Sequence, residues 1–180
     1  MSEQHNMTDA EALFGMTNAT WRVDETDSIA RFAAATLWGR APVRGHLGHA
    51  RGMLEWDGAA GRGQLTITTS GLSSGNRLRD HHLRGSDFFA IADHPAVEFA
   101  ATEFVVDRGD VHMRGELLVR GERHAFACAA AATRLGPDRI ALDTRVALDL
   151  VELGMSRGFL RMIPAEVTAD VRVVLRRAMA

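Results

Sequence analysis

From Trp21 onward, apolar residues recur mainly at every second position. The clearest case is DRIALDTRVALDL. There Ile140, Leu142, Thr144, Val146, Leu148 and Leu150 alternate with Ala141, Asp143, Arg145, Ala147 and Asp149, which predicts a strand with one buried face. The last segment repeats the behaviour, with Val167, Ala169, Val171, Val173 and Leu175 on one side and Glu166, Thr168, Asp170 and Arg172 on the other. Weaker alternation covers 28–38, 44–57, 63–70, 96–107, 111–120 and 122–134, and a short WRV stands near residue 22. Turn signals at Asp57-Gly58, Arg108-Gly109-Asp110, Gly121 and Gly136-Pro137-Asp138 separate these runs, so consecutive strands form antiparallel hairpins.

Many antiparallel strands with one apolar face each make either a two-sheet sandwich or a closed sheet. Strands of ten residues or more present long edges, and closure removes them. The pattern therefore predicts an all-β fold, an antiparallel β-barrel of about eight strands. Alanine is concentrated at 28–36 and 122–134, and only 6% of the chain is aromatic. Small inward side chains leave a cavity, whereas small side chains between sheets permit close packing, and the residues alone leave both readings open.

One stretch breaks the strand pattern. RDHHLRGSDFFAIADHP, Arg79 to Pro95, lies in a predicted helical insertion at residues 76–92. Asn76 or Ser74 can cap its start, Gly85 sits where a left-handed residue would end the first helix, and Pro95 turns the chain toward the next strand. Asp80 and Arg84 stand four apart in the favourable order for a helical ion pair. Phe88 and Phe89 form an aromatic tail. Residues 1–19 are polar and predict a flexible N-terminal segment. Within it, Thr8-Asp9-Ala10-Glu11 has the form of a capping box for a short helix that Gly15 would stop. Residues 20–178 are read as a single domain.

Charge and chemistry narrow the function. The chain has 180 residues, 46% of them hydrophobic, and a formal charge of -2, which gives no footprint for nucleic acid. No apolar run approaches the roughly 20 residues of a membrane-spanning helix, and no signal-peptide pattern opens the sequence, so the expected location is cytoplasmic. Cys128 is the single cysteine and reads as a small buried apolar group. Adjacent helical residues point about 100° apart, so His81 and His82 cannot readily share an ion. His46 and His49 fall on opposite faces of a strand. No metal or cofactor is expected. The G-x-S-x-G, H-E-x-x-H, Walker A and G-x-G-x-x-G patterns are absent. An enzymatic alternative would use Asp80, His82 and Asp87 as acid and base groups at a tunnel mouth. Another is an interaction module that binds no ligand.

Several motifs together resemble the YceI-like family of lipocalin-like barrels: W-x-V-D at Trp21 to Asp24 followed by Ser28 and Phe32; Gly45 with Leu47; Gly52 before Leu54; R-D-x-H-L-R-x-x-D-F-F at Arg79 to Phe89; Pro95 with Phe99; Gly115 with Leu117; and Gly121. The resemblance implies a binder rather than a catalyst, with a long isoprenoid lipid, isoprenoid quinone or similar amphiphile held in an apolar tunnel beneath the helical insertion. Phe32, Ala34, Trp38, Leu47, Leu83, Phe88, Phe89 and Phe99 are the expected lining. Arg79, Asp80, His82 and Asp87 belong to the structural motif, with Arg79 and Asp80 anchoring the helix to the rim through hydrogen bonds and a salt bridge. A homodimer is a further expectation from the resemblance. The chain departs from the family pattern at Asp27 and Thr36, where many members carry histidine, and at Leu153, where the family has phenylalanine.

Overall fold

The computed structural model describes residues 9–15, 18–34, 42–155 and 166–179. Along the chain run α1 (Asp9–Phe14), β1 (Ala19–Val23), β2 (Ile29–Ala34), β3 (Val43–His46), β4 (Ala50–Trp56), β5 (Gly61–Thr68), α2 (Arg77–Arg84), β6 (Ala96–Asp107), β7 (Asp110–Val119), β8 (Glu122–Gly136), β9 (Arg139–Asp149) and β10 (Glu166–Arg177). The ten strands fill eight positions. β1 and β2 both lie along β10, with Trp21 to Val23 opposite Arg177 to Leu175 and Ile29 to Ala33 opposite Arg172 to Thr168. β3 and β4 extend the same way along β2 and β1. Every neighbouring pair is antiparallel, and the β1–β10 pairing closes the sheet into the predicted eight-stranded barrel.

The break between β1 and β2 explains part of the first motif. Where the ladder to β10 lapses, the Ser28 hydroxyl accepts the Val174 N–H at 2.9 Å, and the Asp24 N–H donates to the Val174 carbonyl at 2.8 Å. The Asp24 carboxylate accepts the Thr26 hydroxyl at 2.7 Å and pairs with Arg176 and Arg139, while Asp27 pairs with Arg139. The Thr26 hydroxyl, followed by Arg176, holds the Asp24 carboxyl below its ordinary range despite the opposing effect of desolvation. Two-residue hairpin loops join β6 to β7 and β7 to β8. Arg108 and Gly109 have φ of 51° and 91°, and Arg120 and Gly121 have 52° and 78°, the left-handed pairs that primed turns require.

Strand direction sorts the connections to two ends. One end carries α1 and the turns at 57–60, 108–109 and 137–138; the other carries residues 69–95, the turn at 120–121 and residues 150–155. At the first end α1 runs from Asp9 to Phe14 and stops at Gly15, the short helix that the capping-box pattern suggested. Six residues cannot hold a helix on propensity alone. Here Phe14 is wholly buried against Trp21 and Trp56, its ring centre 6.3 and 5.1 Å from theirs. The Trp56 indole N–H donates to the Gly15 carbonyl at 3.0 Å, and Asp9 accepts the Arg108 amide at 2.8 Å. Helix α1 is a plug.

The alanine clue divides. On β8 the inward positions are Phe126, Cys128, Ala130 and Ala132, while Ala125, Ala127, Ala129 and Ala131 lie exposed on the outside. Only part of the alanine run therefore makes room within the barrel, because a strand shows alternate residues to opposite faces.

Candidate ligand-binding tunnel

The second end is covered by residues 69–95. Asn76 caps α2 by accepting the Arg79 amide at 3.0 Å, as its residue type predicts. Gly85 is extended, with φ of -70° and ψ of 173°, and not left-handed as expected; the left-handed residue that follows α2 is Ala90, at φ 46°. The cause is that the chain leaves α2 straight into further turns, in which the Phe89 amide donates to the Leu83 carbonyl and the Ala90 amide to the Gly85 carbonyl. Those turns carry Phe88 inward, where it is buried with Leu72, Leu83, Leu117, Val119, Leu153 and Met155. Leu153, the departure from the family's phenylalanine, is thus a member of the lid's apolar core.

Polar contacts tie the lid down, through other partners than expected. The Asp80 carboxylate accepts the Ser74 amide at 2.8 Å, the Ser74 hydroxyl, and more weakly the Ser73 hydroxyl at 3.4 Å. Arg84, the predicted partner of Asp80, donates instead to the Leu72 carbonyl at 2.6 Å. Among the described residues Asp80 makes no salt bridge. The Ser74 hydroxyl is the main cause holding the Asp80 carboxyl below its ordinary range. A side chain that can approach a backbone turn directly gains two or three hydrogen bonds from it, which a flexible surface arginine cannot match.

Beneath the lid lies an interior cavity of about 250 Å³. Its wall extends along β10 from Val167 to Leu175, about 26 Å at roughly 3.3 Å per residue. Phe32, Ala34, Leu47, Leu83, Phe88, Phe89 and Phe99 all lie in this wall. Trp38 lies outside the described residues. Phe99 meets Phe126 edge to face at 5.5 Å, the arrangement that aromatic quadrupoles favour. Phe32 crosses over Gly45, where an added Cβ would fall 2.4 Å from the ring, so this motif glycine is required by close approach.

Sequence reasoning found the lid side of the cavity and missed its depth. Met53, Leu54, Phe104, Met113, Leu142 and Leu175 complete the wall toward the plug. Their signal was present in strand parity, since Leu142 and Leu175 belong to predicted inward faces, but proximity to the helical insertion selected only the near residues. Cys128 also lines the wall, and desolvation raises its thiol above the ordinary range, which keeps it neutral and weakly nucleophilic. The Thr144 hydroxyl is turned to the Ala129 carbonyl at 2.5 Å and so presents little polarity to the cavity.

The candidate acid and base groups do not converge. His82 and Asp87 are exposed, and among the described residues neither makes a side-chain hydrogen bond to Asp80. Among the described residues no three His, Cys, Asp or Glu side chains gather as metal ligands, and no helix is long and apolar enough to cross a membrane.

Known proteins resemble this chain in sequence or in fold. A UPF0312 protein of Enterobacter sp. (strain 638) is 36% identical over 80 residues, 44% of this chain and 42% of that protein. Protein YceI of Escherichia coli O17:K52:H18 is 33% identical over 80 residues, again 44% of this chain and 42% of the relative, so the match spans less than half the length of either. Among solved structures, BcnA of Burkholderia cenocepacia superposes with a TM-score of 0.75 at 17% identity, over 84% of this chain and 98% of that one. A polyisoprenoid binding domain from Saccharophagus degradans, implicated in plant cell wall breakdown, superposes with a TM-score of 0.73 at 15% identity, over 89% of this chain and 99% of that one. These two likenesses concern the fold. The YceI-like domain matches residues 21–176, from the tryptophan of the first motif to the strand that closes the barrel, and the chain belongs to the YceI-like family.

Proposed function

We propose that the barrel binds one long apolar chain, of isoprenoid or isoprenoid-quinone type, and carries or stores it away from water. The observation that supports this most is the shape and chemistry of the cavity. A cavity of about 250 Å³ whose wall runs for such a length suits an extended chain better than a compact ligand. Small-molecule sites of roughly 300–1,000 Å³ usually add a small number of precisely placed polar groups to an apolar lining. Here the wall is almost wholly apolar. Each methylene moved from water into such a wall contributes roughly 0.8 kcal/mol, so a few isoprene units bind without a charged contact. The fold likeness to a polyisoprenoid binding domain agrees with this reading.

The reading makes the protein a binder and not a catalyst, as its family membership also indicates. Organic extraction of the purified protein followed by mass spectrometry tests it. The expected result is a long-chain lipid in near-stoichiometric amount, or uptake of added polyprenyl quinone by empty protein. An empty extract together with failure to take up polyprenyl quinone would refute it.

A further inference from the structure

Two sets of side chains end the tunnel at the plug. Leu54, Ala130, Leu142 and Leu175 line the cavity and also belong to the buried apolar cluster around α1. Behind them Phe14, Trp21 and Trp56 fill that cluster without bordering the cavity, and none of the three is more than 3% exposed. The β1–β4 ladder places Trp21 opposite Leu54, and Trp56 follows Leu54 by two residues on the same face of β4. The Phe14 ring packs on both indoles. Glycines on β5 make room for this aromatic mass: a Cβ at Gly61 would fall 3.1 Å from the Trp56 and Phe104 rings, and one at Gly63 would fall 3.1 Å from Phe104. The floor of the tunnel is therefore solid.

Beyond the floor the surroundings change. Trp56 also borders an open surface groove, which Arg22, Glu55, Arg62 and Arg177 help to line. An apolar chain gains nothing by passing into such a groove, because its methylenes return there to water. The floor thus divides an apolar tunnel from polar surface, and Phe14 is the part of it that a separate element supplies. Phe14 lies ahead of residues 21–176, the stretch that the family domain matches. Its helix is held by the Trp56 indole N–H on the Gly15 carbonyl and by the Arg108 amide on Asp9.

We propose that α1 sets the length of chain the tunnel accepts, with Phe14 as the specificity-determining residue that backs the stop. The chain enters beneath the lid and runs along β10 until its apolar end meets Leu54, Leu142 and Leu175. This rests on the reading of the tunnel as an apolar-chain site. Each methylene enclosed strengthens binding roughly fourfold, whereas an isoprene unit left outside adds nothing. The Phe14 ring is about the size of one isoprene unit, so its removal makes room for about one more.

The test sets prenyl alcohols in competition for the purified full chain, from geraniol to hexaprenol in single isoprene steps and with solanesol as the longest. The protein is incubated with an equimolar mixture, the excess is removed by gel filtration, and the bound alcohols are quantified by mass spectrometry. The expected result is a gain of about tenfold or more per added unit up to a limiting length, and no gain beyond it. Phe14→Ala should move that limit up by one unit. Trp56→Phe, which thins the floor and frees the Gly15 carbonyl while keeping Phe14, should strengthen binding of the alcohol one unit above the limit about threefold. Ala130→Leu, which fills the deep end, should move the limit down. Gains that continue through solanesol in the unmodified protein would overturn the proposal, as would an unchanged limit in a folded Phe14→Ala protein. Should Phe14→Ala not fold, Trp56→Phe decides, and an unchanged profile there would overturn it. An unchanged limit in Ala130→Leu would show that the chain stops short of the plug and would overturn it too. If no prenyl alcohol of any length nor polyprenyl quinone binds, the tunnel reading itself fails, a result distinct from any of these.

Discussion

The two ends of this barrel are closed by helices of similar length and opposite construction. Helix α1 closes one end with aromatic mass: Phe14 inserts between Trp21 and Trp56, and one indole hydrogen bond secures the turn after it. Helix α2 closes the other with a polar bracket, in which Ser74 joins Asp80 to Arg79 and Arg84 holds the Leu72 carbonyl, while Leu83 and Phe88 close over a cavity rather than over a filled core. Apolar packing of the first kind is close to non-directional and resists opening through area buried. Hydrogen bonds of the second kind fix orientation yet each add little net stability. On the proposed function, a barrel that admits a chain needs one end of each sort, a stopper and a lid, because the elements that move in binding are drawn from those of low local stability.

The contrast can be tested most severely at the plug. Trp21→Ala removes a wholly buried indole and should destabilise the protein by about 3 to 5 kcal/mol in urea unfolding. Phe88→Ala at the lid should cost less, about 2 kcal/mol, because the ring borders empty space and already lacks partner atoms on one side. Equal costs would mean that the two ends are built alike. Phe88→Asp should instead reduce uptake of polyprenyl quinone more than tenfold while the barrel stays folded by circular dichroism, and unchanged uptake would remove the lid from the binding site.

Ser74→Ala should loosen only the lid. Hydrogen exchange of the α2 amides should accelerate about fivefold, with α1 unaffected. Acid separates the ends in the same sense. The Asp80 carboxyl is held below its ordinary range, so its contribution is fully present above about pH 4 and is lost as pH falls through its depressed pKa. The stability difference between the protein and Asp80→Asn should accordingly be constant from pH 5 to 8 and shrink below about pH 4. The smallest expected effect is at Gly85. Its φ of -70° suits any residue, so Gly85→Ala should cost about 0.5 kcal/mol or less, whereas a left-handed glycine would cost about 1 kcal/mol.

Strand parity made the barrel legible because a closed antiparallel sheet writes its two faces into alternate residues. The inner faces of β9 and β10 were readable in this way from Ile140 to Leu150 and from Val167 to Leu175. The R-D-x-H-L-R-x-x-D-F-F motif located the lid, and Asn76 announced its cap by residue type. Other features carried no local signal. The Asp80 to Arg84 spacing suggested a helical pair, but the deciding partner, Ser74, lies on a loop brought there by the lid's return to the barrel rim. Phe14 looked like part of a loose tail because its partners Trp21 and Trp56 become neighbours only once β1 pairs with β4.

Residue order alone thus determined the strand faces, the turns, the family motifs and the apolar character of the wall, since each depends on neighbours within a few positions of the chain. The tertiary structure decided which end is stopper and which is lid, how deep the cavity runs, and that Ser74 rather than Arg84 is the partner of Asp80. Those properties arise from contacts between residues in different segments of the chain, and their partners exist only after the sheet has closed.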